Sequence, residues 1–169
     1  MSYIPDSLKH LAHPIDSIKP CPRNVKIHTD YNIDIIVESI KQYGFRNPVQ
    51  VDKNGFIIAG EGRWLAGKKL GMKEVPVIVQ NDMTEEDAKG YRIADNKTSE
   101  QSEWNFTNFA DTIIELENAN FEIKALGMPL EEIEDIVCWT EADRKKEKEI
   151  IPKQPKKTEC PYCHRVFRA

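Results

Sequence analysis

The stretch PVQVDKNGFIIAGEGRWLAGKKL, residues 48–70, decides how this chain is read. Two short apolar runs, 48–52 and 56–59, flank Lys53-Asn54-Gly55. Asn-Gly between such runs is a strong hairpin signal, because both central turn positions take positive φ. The second run passes directly into Gly60-Glu61-Gly62-Arg63, and Leu65, Ala66, Lys69 and Leu70 then suit a short helix stopped by Gly71. Gly60 and Gly62 let a ligand come close to the backbone, and a helix N-terminus offers free N–H groups to an anion. Arg63 adds a planar fork matched to phosphate oxygens. Glu61 could orient a water, hold a metal or bind a sugar hydroxyl. The same four residues also suit a tight strand–helix turn with a solvent-facing arginine, and a short glycine motif does not separate the two readings. Residues 62–69 match the phosphate-loop spacing G-x4-G-K, but Lys69 replaces the Ser/Thr that would hold Mg²⁺ and the segment lies inside the expected helix, so that match is rejected.

Upstream, 14–18 reads as a short strand leading into the extended Lys19-Pro20-Cys21-Pro22. Ile33, Ile36, Val37 and Ile40 have the spacing of a helix with one buried face, which Asp30 or Asn32 can cap and Gly44 can end. Downstream, 75–79 predicts a buried strand whose Pro76 places its start near an edge. Thr84 caps a helix opened by Glu85, Glu86 and Asp87 and running to about Asn96. Two more amphipathic helices follow, with Phe106, Phe109, Ile113 and Leu116 on one apolar face and Leu126, Leu130, Ile133, Ile136 and Val137 on the other. From Glu141 onward the periodicity stops and the composition is that of a mobile linker.

The 169 residues carry 28 acids against 24 Lys and Arg, and the net charge of −4 conceals an asymmetry. Residues 1–97 hold 14 basic and 13 acidic residues, 98–143 one and 12, and 144–169 nine and three. That division predicts three zones with different tasks. The apolar runs fall far short of the roughly 18 residues a membrane helix needs. MSYIPDSLKH shows no basic segment followed by an apolar stretch, so no secretory signal and a cytosolic location are expected.

With these elements in order, the segments PIDSIKP and SIKQYGFRNPVQVDKNGFIIAGEGRWLAGKKLGMKEVPVIV resemble the ParB N-terminal domain of the ParB/sulfiredoxin superfamily. The matching sequence of features is a helix, G-x-x-x-P-V-x-V, a hairpin, G-E-x-R, A-x-x-x-L-G and V-P-V. The following YRIADNKTSEQSEWN resembles the phage and prophage branch, and the likeness covers about residues 12–105. In partitioning ParB proteins the box is Gly-Glu-Arg-Arg and binds the phosphates of CTP; Gly60, Glu61 and Arg63 match it, and Gly62 stands where one arginine belongs. A later Glu-Asn-x-x-Arg box holds metal and phosphate in those proteins. Asp95-Asn96 resembles its start, whereas Ser99 occupies the arginine position. Two missing cations weaken a triphosphate site, each charge-assisted contact being worth about 1.5–3 kcal/mol. The cysteine of the sulfiredoxin box is replaced by Glu61, and Ala59, Glu61 and Gly62 break the free-serine kinase pattern.

Cys160-Pro161-Tyr162-Cys163-His164 has the spacing of half a tetrahedral zinc site, and Cys160 and Cys163 are the expected ligands of a shared zinc, or else a reduced thiol pair. Cys21 and Cys138 are expected to be structural, Cys138 as buried packing. Lys145, Lys146, Lys156 and Lys157 could track a DNA backbone or serve only solubility. No strong helix-turn-helix pattern follows residue 100.

The expectation is an α+β protein: a mixed ParB/sulfiredoxin-like sheet with flanking helices over 1–105, an acidic helical appendix over 106–140 and a basic tail over 141–169. The resemblance implies a DNA-associated protein whose turn binds CTP or ATP through Gly60, Gly62 and Arg63. Glu61, Asp95 and Asn96 then position Mg²⁺ or ribose. The alternatives are a nucleotide hydrolase, phosphotransferase or metal-dependent nuclease using Glu61 as a catalytic residue, and an adaptor for a methyltransferase or terminase. A homodimer is a further expectation, and no membrane is expected as a partner.

Overall fold

The computed structural model describes residues 3–138 and the backbone of 157–159 and 166–168. Its central element is a four-stranded mixed sheet in the order β1-β4-β2-β3, formed by β1 (Ala12–Pro14), β2 (Val49–Asp52), β3 (Ile57–Ala59) and β4 (Glu74–Gln80). β4 runs antiparallel to β1 and parallel to β2, and β2 pairs antiparallel with β3. The expected α+β class is therefore the observed one.

Helix α1 (Asp30–Tyr43) turns Ile33, Val37 and Ile40 onto this sheet. Its cap is Thr29, whose side chain accepts from the Asn32 N–H, in place of the expected Asp30 or Asn32. The inner faces contribute Val49, Val51, Ile57, Val75 and Val77, and Trp64 and Ala66 of α2 (Glu61–Lys69) complete the same apolar cluster. Phe45 is 1% exposed beneath it.

Three local expectations are corrected. The strand expected at 14–18 ends at Pro14, because Ile15–Ser17 coil into a single 3-10 turn with the Ser17 hydroxyl donating to the Pro14 carbonyl at 2.6 Å. That turn sends Ile15 and Ile18 both into the core, which an alternating strand would not do. In the hairpin only Gly55 takes positive φ, at 81°, and Asn54 does not. Asp52 forms the turn: its carbonyl accepts from Gly55 N–H at 3.0 Å, and its Oδ1 accepts from the Asn54 and Phe56 N–H groups, both at 2.8 Å. The pairing then slips by one residue between Gln50 and Val51, as in a longer hairpin closed by a left-handed glycine. Finally, Pro76 lies in an inner strand. It falls where the β1 ladder ends, opposite Ala12, and just before the β2 ladder begins at Val77. Beyond that point β1 no longer flanks the strand, and Ile78 and Val79 are 38% and 39% exposed.

Helix α3 (Glu85–Ser99) begins with a reciprocal cap: Thr84 Oγ1 accepts from Asp87 N–H at 3.1 Å, and Asp87 accepts from Thr84 N–H at 3.2 Å. It continues three residues past the expected end and packs along β3. Helices α4 (Phe106–Asn118) and α5 (Leu130–Val137) form a second apolar cluster around Ala110, Ile113, Ile133 and Ile136. Stacking of Tyr43 on Phe121, with ring centroids 6.1 Å apart, joins α1 to the segment that follows α4. Cys138 is exposed rather than buried, because Ile133 and Ile136 already fill the inward face of α5.

Strands β5 (Lys157–Glu159) and β6 (Val166–Arg168) pair antiparallel. Lys145, Lys146, Lys156, Cys160 and Cys163 lie outside the described residues, as does the side chain of Lys157.

Candidate functional site

The cavity that gathers the sequence-predicted residues has a volume of about 160 Å³. Gly60, Glu61, Gly62 and Arg63 form one wall, and Asp95 and Asn96 of α3 form another. The structure therefore brings together two motifs separated by some thirty positions in sequence.

The first wall is built by a glycine. Gly60 ends β3 and caps α2 with φ 92° and ψ 26°, a left-handed conformation in which a Cβ is strained. A Cβ there would also stand 2.6 Å from Nη2 of Arg63. Helix α2 starts at Glu61, so the box forms the helix's first turn, and no side chain caps it. The unpaired amides of that turn carry the positive end of the helix dipole.

Arg63 is less free than its sequence position implies. Its guanidinium folds back beneath Gly60, Nη2 donates to the Pro48 carbonyl at 3.4 Å, and Nε is buried without a partner. Burial pushes its pKa down, and the nearby Asp95 charge opposes that shift. Glu61 is engaged too, with Oε2 accepting from the Cys21 N–H at 3.3 Å. Asn96 donates its side-chain amide to the Arg92 carbonyl at 2.7 Å.

Nine further residues line the cavity, of which Cys21, Asn24, Lys26, His28 and Arg92 bring polar or thiol groups that the sequence reading missed as site residues. The first four of these belong to the loop before α1. That loop is tied to the end of α3 by Lys26, whose Nζ lies 2.9 Å from Glu100 Oε1, while Lys97 holds the other oxygen at 2.6 Å. Hydrogen bonds from the two lysines lower the Glu100 pKa from 4.5 to about 2. The tie is thus complete at neutral pH and is lost only as pH falls through that lower value. His28 accepts or donates a 2.9 Å hydrogen bond with Asn32 and lies against Gly62. A Cβ on residue 62 would come within 2.9 Å of both His28 Cε1 and Ile36 Cδ1. Ser99, in contrast, does not line the cavity and donates to the Asp95 carbonyl at 3.1 Å.

Cys21 and Arg92 also line a second, larger cavity of about 680 Å³, with Phe56 and Met83 among its other walls. Among the described residues, no group of three or more His, Cys, Asp or Glu side chains is placed to hold a metal ion. No helix among them is long and apolar enough to cross a membrane.

A four-stranded mixed sheet whose edge strand turns through a left-handed glycine into a helix, against a second helix bearing Arg, Asp and Asn, defines a small α+β domain with a strand–turn–helix cavity. The sequence profile of the ParB N-terminal domain matches residues 7–96, and the chain belongs to that family. It is 42% identical over 81 residues to the ParB-like nuclease domain-containing protein YnaK of Escherichia coli (strain K12), a match covering 48% of this chain and 93% of that protein. It is 44% identical over 73 residues to the probable chromosome-partitioning protein ParB of Rickettsia typhi, covering 43% of this chain but only 26% of that one. Among solved structures, the C-terminally truncated chromosome-partitioning protein ParB from Caulobacter crescentus complexed with CTP-γ-S superposes with a TM-score of 0.67. That superposition is at 17% identity and covers 82% of this chain and 83% of the other. The likeness in fold therefore extends past the family match, into the helices after residue 96.

Proposed function

We propose that this protein is a DNA-associated ParB-like protein of phage or mobile-element type that binds the phosphates of a nucleotide, CTP or ATP, at its Gly60-Glu61-Gly62-Arg63 turn. The observation that carries this reading is the convergence of that turn with Asp95 and Asn96 on one cavity. The open amides of α2 meet the anion, Gly60 and Gly62 let Arg63, His28 and Ile36 pack close to the turn, and Arg63 supplies the charge. The buried Arg63 Nε without a protein partner supports an acceptor being supplied from outside the chain. The first cavity is smaller than the roughly 300–1,000 Å³ of ordinary small-molecule sites. Phosphates fit there and the nucleoside extends toward the adjoining 680 Å³. Glu61 and Asp95 suit Mg²⁺, which commonly takes one or two carboxylates and completes its shell with phosphate oxygens and water. The CTP-γ-S complex of the Caulobacter relative makes CTP the first candidate.

The test is calorimetric titration of the protein with CTP, ATP and ADP, with and without Mg²⁺, beside Arg63→Ala. Micromolar-range binding by the native chain, weakened about 100-fold or more in the variant, is expected. A folded native chain that binds none of the three makes the turn a scaffold.

A second reading follows from Glu61, which shares the cavity with Asp95 and is held in place by the Cys21 amide. As the carboxylate of a metal-dependent phosphoryl or phosphodiester hydrolase, it would orient the attacking water. Turnover of CTP or of DNA that depends on Mg²⁺ and disappears in Glu61→Gln is the expected signature; nucleotide binding without turnover would leave the protein a binding module.

A further inference from the structure

We infer that Arg92 is the second phosphate-binding arginine of this site, replacing the cations that the chain lacks at Gly62 and Ser99. The inference rests on the phosphate-binding reading above and adds to it a residue outside both boxes.

Three observations converge on Arg92. It lies on α3 three and four residues before Asp95 and Asn96, and seven before Ser99, so all four positions share one face of the helix. Ser99 itself turns its hydroxyl to its own helix and does not line the cavity, whereas Arg92 lines it two turns earlier. At position 62 a Cβ would crowd His28 and Ile36, which must shift to make room for any side chain. A second guanidinium is already at hand on α3.

The anchoring of Arg92 leaves its fork available. Nε donates to the carbonyl of Ile57, the first residue of β3, at 3.3 Å, which ties the guanidinium to the strand that leads into the Gly60 turn. Neither Arg63 nor Arg92 forms an ion pair among the described residues. Asp95 and Glu85 feel their charges from a distance, and Glu85 is itself paired with Lys89. Two guanidinium groups on one cavity, neither ion-paired with the Glu61 and Asp95 that also line it, match an anion bound bidentately. Arg92 also lines the second cavity, so it stands at the boundary between the two. A ligand held by both the Gly60 turn and an arginine at that boundary is a di- or triphosphate in preference to a single phosphate.

The experiment titrates pyrophosphate, inorganic phosphate and CTP into the native chain, Arg92→Ala, Arg92→Gln and Arg92→Lys, with thermal unfolding of each free protein alongside. The native chain is expected to bind pyrophosphate more tightly than phosphate. Arg92→Ala and Arg92→Gln should lose about 10- to 100-fold in affinity for pyrophosphate and CTP, with Arg92→Lys in between. Arg92→Gln retains a donor for the Ile57 carbonyl, so it separates loss of charge from loss of the anchor if the alanine variant unfolds. Native-like binding of CTP and pyrophosphate by a folded Arg92→Gln would overturn the inference while leaving the nucleotide reading standing. Failure of the native chain to bind any of them would overturn both, and is visible without a variant.

Discussion

Trp64→Ala lowers the free energy of unfolding by about 3–5 kcal/mol, the range for removing a buried large aromatic. The indole is 5% exposed and sits in the cluster that joins α1, α2 and the sheet. Its Nε1 donates to the Ile15 carbonyl at 3.1 Å, so truncation leaves both a cavity and a stranded acceptor. Trp64→Phe, which fills most of the space, should cost about 1–2 kcal/mol and so isolate the hydrogen bond from the packing. Urea titration at fixed pH, with the m-value checked for constancy, measures both. A loss under about 1 kcal/mol for the alanine variant would mean that the site collapses around the missing ring. The effect reaches the cavity because Trp64 directly follows Arg63, and its indole fixes the first turn of α2, which lines that cavity.

Gly62→Arg, which recreates the Gly-Glu-Arg-Arg box of partitioning ParB proteins, is expected to destabilise the domain by about 2–3 kcal/mol and to gain no affinity for CTP. The reason is local. The Cβ would enter the space of His28 Cε1 and Ile36 Cδ1, each 2.9 Å away. Both are ends of side chains, but His28 is held by its 2.9 Å hydrogen bond to Asn32 and Ile36 packs against the core. His28→Ala in the same chain should therefore recover at least half of the lost stability, the coupling expected of residues in contact. Thermal unfolding and CTP titration of the two variants and their combination decide the matter. A stable Gly62→Arg that binds CTP more tightly would show that His28 yields and that the partitioning-type site can be rebuilt here by one substitution.

The sheet and its helices were legible because their signals are local. The spacing of Ile33, Val37 and Ile40 fixes one face of α1, and Thr84 followed by three acids fixes the start of α3. The Gly60 turn was legible because glycine before a helix has few other uses. What the sequence concealed depended on contacts distant along the chain. Pro76 read as an edge residue because nothing local says that β1, more than 60 positions earlier, pairs on its far side. Asn54-Gly55 predicted the wrong turn because the Asp52 side chain, by capping two amides, decides the geometry. Cys21, Lys26 and His28 sit in a loop with no periodicity, and contacts with Glu61, Glu100 and Asn32 respectively carry them into the cavity. Arg92 did leave a trace: it precedes Asp95 and Asn96 by three and four residues, a spacing that places all three on one helical face.

The tie between Lys26 and Glu100 spans 74 positions, and the contact between Cys21 and Glu61 spans 40. Together they make the cavity a seam where three distant stretches of chain are stitched edge to edge. An anion seated in such a seam acts as a removable cross-link: it cannot leave its partners separate and stay bound, so opening any one stretch must first release it. Its binding energy is then felt as resistance to unfolding by the whole first unit, growing with the logarithm of ligand concentration once the site is filled. A small ion at one turn would thereby govern how long the loop before α1 stays closed to a protease, although no peptide bond in that loop need touch it.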